Sequence, residues 1–227
     1  MSGSARVAAV FDVDETVLSV KSMVDFLRFY LDETEIPAGS KQAGLLAEFQ
    51  AALTDDREPR EQLNRRYYRV YTGERADRLR ELGARWFAQR RAAPGFVNAR
   101  IVATLLRHRL AGHLVVAVSG SFGACLEPLR AALGIDHVLC TEPIVDVDGR
   151  HTGEIVRSLI GDGKPAALRR LAAAENIALP LSFGYADHIS DVPLLELVGH
   201  PVAVHPDARL AAHAQRLGWA RISPAPR

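Results

Sequence analysis

Apolar and polar positions along the chain follow two rhythms. Residues 7–11, Val7-Ala8-Ala9-Val10-Phe11, form an uninterrupted apolar run of the length expected for a strand buried on both faces. A similar run occupies 114–118, and shorter or less continuous ones occupy 137–139, 181–185 and 201–204. Between them the apolar positions take helical spacing. Ile101, Val102, Leu105 and Leu106 mark a helix over 96–109, and Leu168 and Leu171 mark one over 163–176. Further helices are predicted over 123–133 and 206–218. Pro128 lies inside the first of these, where it is acceptable only if it falls in the first turn. Strands alternating with helices predict an α/β fold, a doubly wound parallel sheet covered on both faces. Residues 144–155, centred on Asp148-Gly149, predict a β-hairpin with a tight turn.

One region breaks the alternation. Four helical patterns follow one another over 17–30, 41–53, 59–71 and 74–91, with little strand signal between them. Their apolar faces carry Met23, Val24, Phe26 and Leu27, then Leu45, Leu46, Phe49 and Leu53, then Leu63, Tyr67, Val70 and Tyr71, then Leu79, Leu82, Trp86 and Phe87. Pro37 and Gly39 break the segment 32–40, and Ala93-Pro94-Gly95 marks the return to the alternating pattern. The chain therefore divides into a core, 1–19 with 93–227, and an all-helical insert, 20–92. The insert's tyrosines, Trp86 and Phe87 suit its own core better than a stacking platform, and most of its arginines suit a solvated face.

Composition narrows the classes of function. The chain has 227 residues, 48% hydrophobic and 24% charged, with a formal net charge of +1. That balance argues against a general nucleic-acid or membrane binder. No apolar run approaches the roughly 18 residues of a membrane span. The opening MSGSAR is polar and unlike a signal peptide, and the closing SPAPR reads as a frayed tail. Cys125 and Cys140 are expected to be reduced thiols of a cytoplasmic protein.

The chemistry sits where the buried runs end. The first run breaks into Asp12, Asp14 and Glu15 around Val13. Burying a carboxylate is costly unless it is paired or bound to a metal, and ligands of open α/β sheets lie beyond the carboxyl ends of the strands. Ser119-Gly120 ends a second run, Lys164 starts a helix after Gly161-Asp162-Gly163, and Asp187, with Asp191 beyond it, follows a third run. Together they suit phosphoryl transfer. A carboxylate nucleophile attacks phosphorus only once the phosphate charge is neutralised. Three carboxylates bind a hard cation such as Mg²⁺, and a hydroxyl, backbone N–H groups and a lysine hold phosphate oxygens. A second acid beside the nucleophile serves the leaving alcohol and then water.

This ordered set resembles the haloacid dehalogenase-like superfamily. Asp12-Val13-Asp14-Glu15-Thr16 matches its D-x-D-x-[T/V] motif, Ser119-Gly120 its second motif, Lys164 its third, and Asp187 with Asp191 its acidic fourth. Ser119-Gly120-Ser121-Phe122, the Gly149-Arg150-His151-Thr152-Gly153 hairpin and the helical insert resemble the phosphoserine phosphatase-like branch, subfamily IB. The resemblance implies that Asp12 is a nucleophile forming an aspartyl-phosphate. It implies that Asp14 is the general acid and base, lending its backbone carbonyl to Mg²⁺, and that Thr16 shapes the loop. Ser119, Gly120 and Lys164 would bind the phosphoryl group, and Asp187 and Asp191 would complete the metal site with Asp12 and Asp14.

Departures from the branch concern the substrate. Lys21 stands where phosphoserine phosphatases carry an acid that receives the substrate ammonium, and His188 and Ser190 replace residues of their fourth motif. Arg65 or Arg66 falls near a family arginine that grips the substrate carboxylate. The expectation is a Mg²⁺-dependent phosphatase acting on a small phosphorylated metabolite (a sugar, polyol, cyclitol or amino-acid-derived ester), with no nucleic-acid or membrane partner. Phosphoserine phosphatase proper, phosphoryl transfer to an acceptor other than water, and a regulatory protein that binds a phosphorylated ligand stand as alternatives.

Overall fold

The computed structural model describes residues 5–55 and 57–223. MSGS and the final four residues, which carry most of the leader and tail readings, lie outside the described residues.

A six-stranded parallel sheet forms the centre. Across it run β3 (His137–Cys140), β2 (Leu114–Ser119), β1 (Ala8–Asp12), β6 (Phe183–Ala186), β7 (His200–Val204) and β8 (Ala220–Ile222). The chain builds outward from β1 to β2 and β3, then crosses back to lay β6, β7 and β8 on the other side. The order reverses at β1, so the crevice beyond its carboxyl end is where this topology holds a ligand.

β1 is buried along its whole length, and its pleat divides its side chains between two cores. Ala9 and Phe11 pack with Ile101, Leu105, Val115 and Ala117 on one face. Ala8 and Val10 pack with Val116, Val118, Leu168 and Ala172 on the other. That double burial explains the absence of polar alternation in the run. Truncating Phe11, which stacks on Tyr185 with ring centroids 4.5 Å apart, is expected to cost about 3–5 kcal/mol.

α5 (Ala99–Leu110), α6 (Gly123–Leu133), α7 (Gly163–Ala174), the short α8 (Val192–Leu195) and α9 (Ala208–Leu217) complete the alternation. Pro128 corrects the expectation drawn from it: it sits in the middle of α6, which continues through it. Its missing N–H frees the carbonyl of Ala124 from the helix ladder. Gly83 of the neighbouring helix lies directly on that carbonyl; a Cβ there would come within 1.9 Å of the oxygen. The β8 strand was not foreseen; only three residues long, it carries too little pattern to read. The hairpin is present as β4 (Glu142–Val145) and β5 (His151–Arg157), joined by a longer turn over 146–150. The Asp146 carboxylate accepts the N–H groups of Asp148 (3.0 Å) and Arg150 (2.9 Å) there, and Gly149 takes a positive φ of 76°.

Between β1 and β2 lie α1 (Ser22–Asp32), α2 (Lys41–Leu53), α3 (Arg60–Arg69) and α4 (Ala76–Arg91). Phe26, Tyr30, Tyr67, Tyr71 and Trp86 pack at their centre, in a cluster continuous with Phe122, Cys125 and Leu126 of α6. Buried Asp25 accepts hydrogen bonds from Trp86 Nε1 (2.8 Å) and Arg90 Nε (2.7 Å), tying α1 to α4. Among the described residues, no helix is long and apolar enough to cross a membrane.

Candidate active site

At Asp12 the strand gives way to a five-residue π-turn, Val13–Val17, in which Glu15 adopts φ 61°. The turn delays α1 to Ser22, later than apolar spacing suggests, and separates the two acids. Asp12 stays at the crevice, while the Asp14 carboxylate accepts the backbone N–H of Ser22 at 2.9 Å. Thr16 Oγ1 donates to Asp187 Oδ1 at 3.2 Å, fixing the turn to the end of β6.

The remaining motifs converge on Asp12. Lys164, in the first turn of α7, donates from Nζ to Asp12 Oδ1 and to Asp191 Oδ1, both at 2.6 Å. Ser119, buried at the end of β2, accepts the N–H of Ser121 at 3.0 Å, leaving its own hydroxyl proton free to donate. Gly120 turns its carbonyl away to accept from Asn64 Nδ2 (3.0 Å) and Tyr68 OH (2.9 Å). A Cβ at Gly120 would meet Ile160 Cδ1 at 2.3 Å, so the Ile160 side chain would have to shift to admit one.

A cavity of about 200 Å³ opens over this floor and is roofed by α1, α2 and α3. At its rim, Lys21 is 63% exposed and reaches Glu15 at 3.7 Å. Arg60 Nη1 crosses from α3 to Ser190 Oγ (2.8 Å) and His188 Nδ1 (3.0 Å). His188 Nε2 in turn faces Asp207 at 3.4 Å. Arg65 and Arg66 are not brought to the cavity. Arg65 is exposed, and Arg66 pairs instead with Glu58 at 2.9 Å and Glu48 at 3.9 Å. The arginine that does line it is Arg60, more than one turn earlier on the same helix.

Residues 9–196 match the family described as haloacid dehalogenase-like hydrolase. The chain belongs to that family. It is 30% identical over 220 residues to a probable phosphatase of Mycobacterium tuberculosis (strain H37Rv), covering 96% of this chain and 76% of the relative. Among solved structures it resembles a protein of unknown function from Bordetella pertussis Tohama I, with a TM-score of 0.83, 25% identity, and coverage of 97% and 99% of the two chains. It also resembles phosphoserine phosphatase as its phospho-aspartyl intermediate analogue. There the TM-score is 0.66 at 20% identity, with 96% and 94% covered, which shows a shared fold. This haloacid dehalogenase-like hydrolase is a phosphomonoester hydrolase.

The electrostatics of the hydrolase's floor are unbalanced. Carboxylate oxygens of Asp12, Asp187 and Asp191 lie within 4.8 Å of one another, with one lysine among them. Burial pushes the Asp12 carboxyl well above its usual range against the pull of Lys164, and Asp191, Asp187 and Asp14 push the same way. Burial and the neighbouring Asp191 raise Asp187 to about 6. Burial alone would lower the Lys164 ammonium, but Asp12 and Asp191 outweigh it and hold it above its usual value. An all-oxygen donor set with excess negative charge fits a hard divalent cation such as Mg²⁺. The Asp14 carboxylate stands apart, raised by burial and partly offset by its hydrogen bonding to Ser22.

Sequence reasoning missed Arg60 and Asn64. Asn64 left a signal: it falls on the same helical face as Tyr67 and Tyr71, a polar residue where the pattern calls for an apolar one. Ser158 Oγ donates to its Oδ1 at 2.8 Å, so its amide joins α3 to both Gly120 and the strand-to-helix loop. Arg60 left none, because it is one of several arginines along α3.

Proposed function

We propose that this chain is a Mg²⁺-dependent phosphatase that hydrolyses a small phosphomonoester through an aspartyl-phosphate on Asp12. Residues 20–92 act as its cap, and 1–19 with 93–227 as its catalytic core. The observation that carries the reading is Asp12 at the end of β1, bonded to Lys164 at 2.6 Å within a cluster of three carboxylates.

An Asp12 carboxylate oxygen attacks phosphorus while the bond from phosphorus to the leaving oxygen breaks. Asp14 donates its proton to that oxygen, releasing the alcohol; burial raises its carboxyl above the ordinary value, in the direction that favours the protonated form this step needs. Water then attacks the aspartyl-phosphate, giving its proton to Asp14, and inorganic phosphate departs with Asp12 restored. Lys164 and Ser119 hold the non-bridging phosphoryl oxygens, and the Gly120 turn lets backbone approach them. Asp12, Asp187, Asp191 and the backbone carbonyl of Asp14 would hold Mg²⁺, which supplies positive charge against the phosphate oxygens.

Arg60, Lys21, His188 and Ser190 form the rim through which the substrate enters. The candidate leaving groups are sugar, polyol, cyclitol and amino-acid-derived alcohols, and the walls of the cavity bear on that choice. Free Cys125 and Cys140 fit a reducing, cytoplasmic setting.

Phosphate release from phenyl phosphate, a monoester, and from acetyl phosphate, with and without Mg²⁺, tests the reading. Turnover is expected only with the metal, and Asp12→Asn is expected to lose it by roughly 10⁴-fold or more while keeping its circular dichroism spectrum. Undiminished turnover by that variant would contradict the assignment.

A further inference from the structure

We infer that the alcohol released by this enzyme is an apolar group of about ring size, rather than a sugar, polyol or cyclitol. The inference rests on the phosphatase reading and concerns the other half of the same cavity.

The two halves of the cavity are chemically opposite. Below lie the carboxylates and Lys164. Above them the walls are Met23, Val24, Phe49, Leu53, Leu63 and Ile160. Phe49 is buried and belongs to the core of the helical insert, but the other five are not fully covered. Met23, Val24, Leu63 and Ile160 are half-buried, and Leu53 is 44% exposed. Their uncovered surface faces a space of about 200 Å³ that must take the phosphoryl group and the alcohol together. An apolar occupant would remove that surface from water, which is favourable in proportion to the area covered.

The polar groups on the upper side are few, and the Asn64 amide among them is already engaged. The Asn64 amide joins Gly120 O to Ser158 Oγ. The Tyr67 hydroxyl accepts from Tyr71 OH at 2.9 Å, which leaves it a single proton to offer an occupant. A polyhydroxylated alcohol seated there would exchange its bonds to water for contacts with aliphatic carbon, and buried hydroxyls without partners are penalised. A substrate ammonium fares no better. Among the described residues, the carboxylates lining the cavity apart from the Asp12, Asp187 and Asp191 cluster are Asp14, which already accepts from Ser22 N, and Glu15, at the rim, which Lys21 faces at 3.7 Å. The remaining cation at the mouth, Arg60, is bonded to neutral partners, His188 and Ser190.

Two esters of the same ring test this directly: cyclohexyl phosphate and myo-inositol 1-phosphate, both secondary, the second carrying hydroxyls on every other ring carbon. With the Mg²⁺-loaded enzyme, kcat/KM for cyclohexyl phosphate is expected to exceed that for the inositol ester on the order of a hundredfold. Leu63→Gln and Val24→Asn are each expected to shrink that ratio by about tenfold; because the readout is a ratio, a general loss of activity cancels. Acetyl phosphate, whose small acyl group makes little demand on the walls, is assayed alongside. If it is hydrolysed while the inositol ester matches or exceeds the cyclohexyl ester, or while neither ring ester is hydrolysed, the inference is overturned and the phosphatase reading stands. If acetyl phosphate is not hydrolysed either, the phosphatase reading fails and takes the inference with it.

Discussion

The floor and the roof of the cavity are built by different rules. The floor comes from the ends of β1, β2 and β6 and the start of α7, segments held rigidly by a sheet buried on both faces. Its side chains are ionised or ionisable, bonded to one another, and intolerant of displacement: Lys164 bridges two carboxylates at 2.6 Å each. The roof comes from α1, α2 and α3, held by aromatic packing, and offers the substrate mostly carbon. On the proposed function, a change in the floor is expected to alter the reaction, whereas a change in the roof is expected to alter which ester undergoes it.

That contrast predicts unequal consequences. Lys164→Met removes the cation that opposes the floor's carboxylates and that, in the proposed reaction, holds the phosphoryl oxygens. Steady-state assays should show kcat falling by roughly 10²–10³-fold for every ester, whatever its alcohol. An equal kcat in the variant would break the division between floor and roof.

Arg60→Ala should act through the roof. It cuts the contact of α3 with His188 and Ser190 across the cavity mouth. A rise in KM of about tenfold is expected, with kcat nearly kept and acetyl phosphate turnover little changed, as for the loss of binding shared by ground and transition states. A fall in kcat equal to that of Lys164→Met would move Arg60 into the floor.

The smallest effect is thermodynamic. In the metal-free protein the Asp187 carboxyl titrates near 6, above its ordinary 3.8, chiefly because it is buried and secondly because of Asp191. The folded state therefore binds this proton more tightly than the unfolded chain. The stability it contributes is complete below 3.8 and is lost as pH rises through about 6. Mg²⁺ binding should offset that loss where the carboxylates are ionised. Saturating Mg²⁺ is expected to raise the thermal midpoint by several degrees, about 4–8 °C, at pH 7.5. At pH 5, where a proton must first be displaced, the rise should be less than half as large. Equal rises at both values would show that the cation binds elsewhere.

The same division explains what could be read from the chain alone. The central strands were legible because burial on both faces leaves continuous apolar runs, and the floor was legible because Asp12, Asp14, Ser119 and Asp187 stand at the ends of such runs, with Lys164 at a helix start and Asp191 just beyond Asp187. Lys41–Leu53 was legible in both bounds, since Ser40 caps its start by accepting from Ala43 N. The roof was not. Val24 and Leu63 follow the same periodicity whether they cover a core or line a cavity, and no pattern along one helix says which partner the fold will bring opposite. Arg60 required the crossing of α3 over the loop after β6, and the passage of α6 through Pro128 required the glycine of α4 that packs on the freed carbonyl. These are relations between distant segments, and they carry no local signature.

The central claim is that Asp12 carries the phosphoryl group in mid-reaction. The most direct measurement is acid quenching of the enzyme during turnover, reduction of any acyl phosphate with borohydride, and peptide mass spectrometry. Homoserine is expected in place of Asp12 in the wild-type protein, dependent on substrate and Mg²⁺. Continued phosphate release with no such product at Asp12, or with the product at another carboxylate, would contradict it.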